Sequence, residues 1–169
     1  ACGDSSRPAV ATASPSHRFA PAIVEAPVDS ALPMTYLARP DTLRGLYVNR
    51  WAAIGTRIWK LIDVAGRTEI NTLVIDVKDD RGLVLYRSRV PLAAAIGADT
   101  NRPMSPRRLT ALLDSMRALH IYPIARIVVA KDPLLAGKKL EWAIKRRQDA
   151  KPWLDRSVHP WLDPTQPAV

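Results

Sequence analysis

The sequence predicts a parallel α/β fold in which strands and helices alternate along the chain. Three apolar runs, at residues 45–49, 72–77 and 121–130, have the length and composition of strands. Two segments between them carry apolar residues at helical spacing. Because strand–helix–strand order favours parallel strands joined by right-handed crossovers, we expect one parallel sheet covered by helices.

The first strand, GLYVN at residues 45–49, opens the first β/α unit. The helix after it is predicted to end at Gly66, because glycine is favoured where helices stop. Its apolar face consists of Ile54, Ile58, Leu61, Ile62 and Ala65. The second strand, TLVIDV at 72–77, is apolar on both faces, which is typical of a strand covered on both sides.

The second helix is predicted to begin at Ser105-Pro106, an N-cap residue followed by proline at the first helical position. Its apolar face consists of Leu109, Leu112, Leu113, Met116 and Leu119. The third strand, IYPIARIVVA at 121–130, follows at once. This order completes the predicted alternation of strand and helix.

A long segment, residues 79–104, separates the second strand from the second helix. Asp80-Arg81-Gly82 predicts a tight turn and LVLYRS at 83–88 a short return strand, so we expect a small hairpin there. Ligands of α/β folds bind at the carboxyl ends of parallel strands. A segment of this length at that edge is therefore a candidate functional loop.

The composition suits one globular domain with some extra length: 169 residues, 47% hydrophobic and 24% charged. The net charge of +9 is spread, because acidic residues lie between most of the 25 Lys and Arg. Lys145-Arg146-Arg147, beside Lys138-Lys139, forms the one local patch, which is either a solvated helix face or a surface for an anionic polymer. Zinc-spaced Cys/His sets, phosphate loops and RNA-binding aromatic motifs are absent from the sequence, so we expect no nucleic acid, metal or cofactor.

The first 40 residues predict a linker, since they are rich in Ala, Pro and Ser and show no helical or strand period. The opening Ala1-Cys2-Gly3 resembles the end of a bacterial lipoprotein signal peptide, in which the cysteine receives lipid. Lipidation at Cys2 would attach the protein to a membrane in the cell envelope, on the periplasmic or outer surface; secretion and a fragment boundary are the alternatives. No apolar run approaches the roughly 20 residues that span a bilayer.

Five segments follow one another as in a known family: RGLYVNRWAA, LIDVAGRTEINTLVIDVKDDRGLVLYRSRVPLAAAIGA, IYPIARIVVAKDPLLA, EWAIKRR and HPWLDP. Over residues 44–164 the chain resembles a bacterial family of glycoside-hydrolase-like domains of unknown function, related to the α-amylase-like barrel hydrolases. The resemblance implies a (β/α)8 TIM-type barrel that acts on or binds polysaccharide. It also implies a turn at His120, where the family usually has glycine.

Such a barrel typically needs about 250 residues. Residues 41–169 therefore resemble the N-terminal part of one, a partial (β/α) TIM-type barrel truncated after about three β/α units. The family's later strand, which carries an acidic motif, would lie beyond Val169. Whether this chain alone hydrolyses O-glycosyl bonds is therefore left open.

The candidate site lies at the carboxyl ends of the strands. Because side chains alternate along a strand, Val74, Asp76 and Lys78 share one face, and Asp76 and Arg126 are expected to pair at the rim of the sheet. The pair either only neutralises charge or belongs to a saccharide site. The predicted substrate-binding residues are Tyr47, Asn49, Asp76, Lys78, Asp79, Arg126, Lys131, Asp132 and Trp161.

Glycoside hydrolysis needs two carboxyl groups about 5 to 9.5 Å apart, depending on the stereochemistry. Asp76, Asp79 and Asp132 are the candidates, with Asp163 further along the chain, and no sequence signal selects an acid or a nucleophile among them. The alternative is a non-catalytic carbohydrate-binding or scaffolding lipoprotein of the cell envelope. The expected partner is a carbohydrate polymer, and the open edges of a partial barrel predict self-association.

Overall fold

The computed structural model of the protein describes residues 37–167 and 169. It contains one sheet of three parallel strands, β1 (Gly45–Val48), β2 (Thr72–Lys78) and β3 (Tyr122–Ile127), arranged in the order of the chain. Strands alternate with helices, which confirms the predicted α/β class and the partial TIM-type unit. Cys2 and most of the predicted linker lie outside the described residues, and the predictions about them stay predictions.

Within the described residues, five α-helices accompany the sheet: α1 (Arg50–Ile54), α2 (Arg57–Gly66), α3 (Pro91–Ile96), α4 (Pro106–Ala118) and α5 (Pro133–Lys138). A 3-10 turn at Leu140–Trp142 follows them. None of the helices within the described residues is long and apolar enough to span a bilayer.

The first predicted helix is two helices, because the chain breaks between α1 and α2. Asn49 begins α1 by accepting a 2.8 Å hydrogen bond from the backbone N–H of Ala52. The extended backbone of Gly55 ends α1. The predicted end of the helical segment at Gly66 is confirmed.

The predicted start of the second long helix is also confirmed. The Ser105 hydroxyl accepts a 3.3 Å hydrogen bond from the Arg108 N–H, and Pro106 occupies the first position of α4. After α4 the backbone turns at His120 with a φ of 54°. His120 thus adopts a left-handed conformation that glycine would adopt at lower cost.

The hairpin prediction at 79–88 is correct for the turn and wrong for the return strand. Asp79 and Leu83 close the turn through a 3.0 Å backbone hydrogen bond, but only one isolated antiparallel bridge follows, between Lys78 and Val84. The Leu85 N–H still donates to the Val77 carbonyl at 2.8 Å, but the ladder stops there because the Leu85 carbonyl accepts from the Met104 N–H. On its other side the Val84 N–H bonds to Ala98, and the Val84 carbonyl accepts from Arg50. These contacts hold the segment against its own later part and against α1.

The register of the sheet changes near the carboxyl end of β2. Asp76 is paired with Arg126, whereas Lys78 is paired with Ile127, so a bulge lies between the two pairings. A bulge re-aims the side chains that follow it. The predicted shared face of Asp76 and Lys78 is therefore broken, and the two side chains line different cavities.

The main core lies between the sheet and its helices. Its fully buried members come from every layer: Val48 and Leu73 from the sheet, Ile58 and Leu112 from the helices, and Leu85 from the segment after β2. Packing on this side leaves the opposite face of the sheet to Tyr47, Val74 and Asp76. A smaller cluster of Ala136, Ala143 and Leu162 joins α5 to the C-terminal segment.

Candidate functional site

Three side chains meet at the carboxyl ends of the three strands. The Tyr47 hydroxyl on β1 donates a hydrogen bond to Oδ2 of Asp76 on β2 at 2.5 Å. The Arg126 guanidinium on β3 donates to Oδ1 of Asp76, also at 2.5 Å. The guanidinium carbon Cζ of Arg126 lies over the Tyr47 ring, 5.4 Å from the ring centre. The predicted pairing of Asp76 with Arg126 at the rim is confirmed.

Within this cluster the carboxylate is buried, whereas the phenol and the guanidinium are exposed. Asp76 is 2% exposed, whereas Tyr47 is 57% exposed and the Arg126 side chain 44%. The hydrogen bond to Asp76, together with burial, raises the pKa of the Tyr47 phenol, which therefore stays a hydrogen-bond donor at neutral pH. The hydrogen bond to Asp76 and the attraction of its charge also raise the pKa of Arg126.

The cluster forms one wall of a cavity of about 240 Å³. The start of α1 supplies Arg50 and Trp51, with the cap residue Asn49, and the loop after β2 supplies Asp79, Asp80 and Arg81. Asn49 thus lies where it was predicted, although its side-chain oxygen also caps α1. The sequence interpretation missed Arg50 and Trp51, and treated Asp80 and Arg81 only as part of a turn.

Arg50 lines this cavity and is otherwise fully buried. Its Nε donates to the Val84 carbonyl at 3.1 Å, its Nη2 donates to the Asn101 carbonyl, and its Nη1 has no hydrogen bond within the described residues. Burial lowers the pKa of Arg50, and the charge of Asp79 opposes that effect. The signal in the sequence was a charged residue directly after the first apolar strand.

The carboxylate of Asp79 builds the loop after β2. Its Oδ1 accepts hydrogen bonds from the backbone N–H groups of Arg81 and Leu83, at 3.0 and 2.9 Å. A side chain bound to its own following backbone in this way stabilises a turn. Asp79 therefore borders the cavity while its oxygen Oδ1 is occupied by the loop.

Lys78 and Asp132 lie in a second cavity of about 270 Å³, apart from the first. Oδ1 of Asp132 caps α5 by accepting from the Leu135 N–H at 2.8 Å, and Oδ2 lies 2.8 Å from the Lys78 ammonium, an ion pair without a hydrogen bond. The ammonium also donates to the Val128 carbonyl at 2.7 Å. Asp132 is fully buried. The structure does not bring this pair together with Asp76.

Lys131 and Trp161, both predicted as site residues, do not line the first cavity, but Lys131 contacts one of its walls. The Lys131 ammonium lies 3.3 Å from Oδ2 of Asp80 and 5.9 Å from the centre of the Trp161 ring. Trp161 donates its indole N–H to Asp155 at 3.1 Å. Asp163 lies beyond them in a turn, where hydrogen bonds from Thr165 lower its pKa.

A family model described as "Putative glycosyl hydrolase domain" matches residues 45–169. Among solved structures, the chain is similar to a hypothetical protein from Ruminiclostridium thermocellum ATCC 27405, with 37% identity and a TM-score of 0.62. That match covers 70% of this chain and 60% of the other.

The fold is also similar to that of a chitobiase of family GH20 from Flavobacterium johnsoniae, with 16% identity and a TM-score of 0.55. This match covers 75% of this chain and 20% of the chitobiase, and it shows the fold alone. A search of curated proteins found no match. Because the family model covers most of the chain, the protein belongs to the family of these glycosyl-hydrolase-like domains.

Proposed function

We propose that this domain binds polysaccharide at the carboxyl-terminal edge of its sheet, with Tyr47 and Arg126 as the sugar contacts. The observation that carries the proposal is the cluster of Tyr47, Asp76 and Arg126, which ties three adjacent strands together on the wall of one cavity. Asp76 is the positioning residue, because both of its oxygens are occupied by the two groups that it holds.

The exposed groups have the chemistry that a sugar requires. An aromatic ring offers an apolar face to sugar C–H groups, and a guanidinium has five N–H donors, of which Asp76 does not use all. Tyr47 and Arg126 are held in place before a ligand arrives, so fewer side-chain rotamers have to be fixed on binding. Family membership supports carbohydrate as the ligand.

Within this proposal, binding without cleavage is favoured over hydrolysis of the bound polysaccharide. The observation in its favour is that the three predicted catalytic carboxylates all have structural partners: Asp76 holds two side chains, Asp79 holds a turn, and Asp132 caps a helix from a fully buried position. Glycoside hydrolysis needs one carboxyl group free to donate a proton and a second one opposite it.

Two measurements on the 169-residue protein test these functions. Calorimetric titration with glucan-, xylan- and chitin-derived oligosaccharides tests binding, and release of reducing ends tests cleavage. Tyr47→Ala should weaken binding by at least about tenfold, or about 1.4 kcal/mol. Trp59→Ala, which removes an exposed ring from α2, should leave affinity unchanged. Equal affinity of the wild type and Tyr47→Ala would overturn the proposed site.

The location in the cell envelope is a separate proposal, supported by the sequence Ala1-Cys2-Gly3. Mass spectrometry of the protein from a bacterial membrane fraction should find lipid on Cys2, and Cys2→Ser should move the protein to the soluble fraction. An unmodified Cys2 in membrane-derived protein would contradict this proposal.

A further inference from the structure

A third cavity, of about 480 Å³, lies in the C-terminal segment. Its walls are Leu140, Arg146, Lys151, Trp153 and Leu154, with two prolines. Isolated antiparallel bridges, from Lys145 to Pro152 and from Leu154 to Pro160, hold these walls together. No residue of this cavity lines the cavity beside Asp76.

An exposed tryptophan forms one wall. Trp153 is 40% exposed, and its ring packs nearly perpendicular to that of Trp161, with the centroids 6.1 Å apart and an angle of 80° between the planes. The hydrogen bond from Trp161 to Asp155 fixes the ring on which Trp153 rests. A rigid and partly exposed indole is a platform for stacking.

The same segment has an excess of positive charge. Residues 138–156 contain seven Lys or Arg and three Asp or Glu. Arg146 pairs with Asp149 at 2.5 Å, but no ion pair within the described part of the chain involves Lys145, Arg147 or Lys151. Of these three, Lys151 lines the cavity, and its positive charge attracts an anionic ligand.

The cavity is also linked to the site at the sheet edge. Trp153 contacts Trp161, the Trp161 ring lies beside Lys131, and Lys131 pairs with Asp80 on the wall of the cavity beside Asp76. Aromatic rings and cations therefore form a continuous path between the two cavities. Sugar rings stack on aromatic rings, so these tryptophans favour a polysaccharide over a small anion.

We propose that the cavity around Trp153 is a second glycan-binding site, specific for acidic polysaccharide. Trp153 stacks on a sugar ring, while Lys151 pairs with the carboxylate of a uronic acid unit. This site goes beyond the proposed function, because it can bind its ligand whether or not the residues around Asp76 bind or cleave a sugar.

The test is calorimetric titration of the 169-residue protein with polygalacturonate and with neutral dextran, carried out on the Tyr47→Ala variant so that the site beside Asp76 does not contribute. We expect binding to polygalacturonate alone, with an affinity that falls as salt is raised because exposed charges are screened. Trp153→Ala and Lys151→Glu should each weaken binding by at least about tenfold. Their matched controls on α2, Trp59→Ala and Lys60→Glu, should bind like the wild type.

Further variants separate this proposal from the proposed function. Tyr47→Ala should leave polygalacturonate binding unchanged, and Trp153→Ala should leave the affinity for neutral oligosaccharides unchanged. The proposal is overturned if dextran binds equally well, if neither Trp153→Ala nor Lys151→Glu reduces affinity, or if single-stranded DNA competes as effectively as polygalacturonate. Near-ultraviolet circular dichroism checks the fold of each variant, and Lys151→Glu with its control carries the test should Trp153→Ala unfold.

Discussion

The hydroxyl of Tyr47 donates a 2.5 Å hydrogen bond to Asp76 across the boundary between β1 and β2. The second oxygen of the same carboxylate holds Arg126 on β3. One buried side chain therefore connects all three strands at their carboxyl ends. Both the shape of the candidate site and the stability of the sheet edge should therefore depend on Asp76.

Replacing that carboxylate tests the dependence. Asp76→Asn should lower the free energy of unfolding by about 1–3 kcal/mol, because it removes hydrogen bonds to a charged and buried group. Oligosaccharide affinity should fall with it. As a control, Asp63→Asn breaks the exposed ion pair between Asp63 on α2 and Arg67 just after it. This change should lower the free energy of unfolding by no more than about 0.5 kcal/mol. Urea denaturation measures both, and equal stabilities would contradict the assigned role.

The raised pKa of Tyr47 predicts a loss of stability at alkaline pH. A folded-state pKa above the ordinary value of about 10 gives a stabilisation that is complete below pH 10 and is lost as pH rises through the folded value. Tyr47→Phe should remove this pH-dependent part of the free energy of unfolding. Because the chain has four tyrosines, the difference in tyrosinate absorbance between the wild type and Tyr47→Phe isolates the group. Tyr122→Phe, at the amino end of β3, is the control.

Gly82 and Gly137 form a matched pair for testing the loop after β2. Gly82 has a φ of +82°, and a Cβ there would lie 2.0 Å from Oδ1 of Asp132. The left-handed conformation alone costs a residue with a side chain about 1–2 kcal/mol, and the clash adds to that cost. Gly82→Ala should therefore lower the free energy of unfolding by more than about 2 kcal/mol. Gly137, in α5, has open space around it, so Gly137→Ala should raise the free energy of unfolding by about 0.5–1 kcal/mol. Thermal unfolding compares the two.

The ion pair between Lys78 and Asp132 should show coupling. Lys78→Met leaves the buried carboxylate of Asp132 without its cation and should cost about 3 kcal/mol, at the lower end for a broken buried pair because Lys78 is partly exposed. Adding Asp132→Asn removes the charge and keeps a side chain that can cap α5. The double variant should therefore be more stable than Lys78→Met by at least about 1 kcal/mol in urea. Additive effects would contradict the coupling.

The fold could be predicted because its signals were local. Apolar runs marked the three strands, and Ser105-Pro106 and Gly66 marked helix ends that depend on the chemistry of single residues. The return strand predicted at 83–88 did not form because a tertiary contact decided it: the Met104 N–H takes the Leu85 carbonyl that the ladder with β2 would need. Such contacts leave no periodic signal.

The candidate site was predicted where strand alternation held. Asp76 and Arg126 met as expected because their strands are parallel and paired at that position. The bulge after Asp76 carried Lys78 into another cavity, and an inserted residue of this kind has no marker in the sequence. Arg50 was missed because its burial depends on carbonyl groups far along the chain.

The strand order β1-β2-β3 has a consequence for how the protein is made. Each strand pairs with the one synthesised immediately before it, so a nascent chain leaving the ribosome can dock every new β/α unit as it emerges. Pairing of neighbours in the chain also keeps the entropic cost of loop closure low at each step.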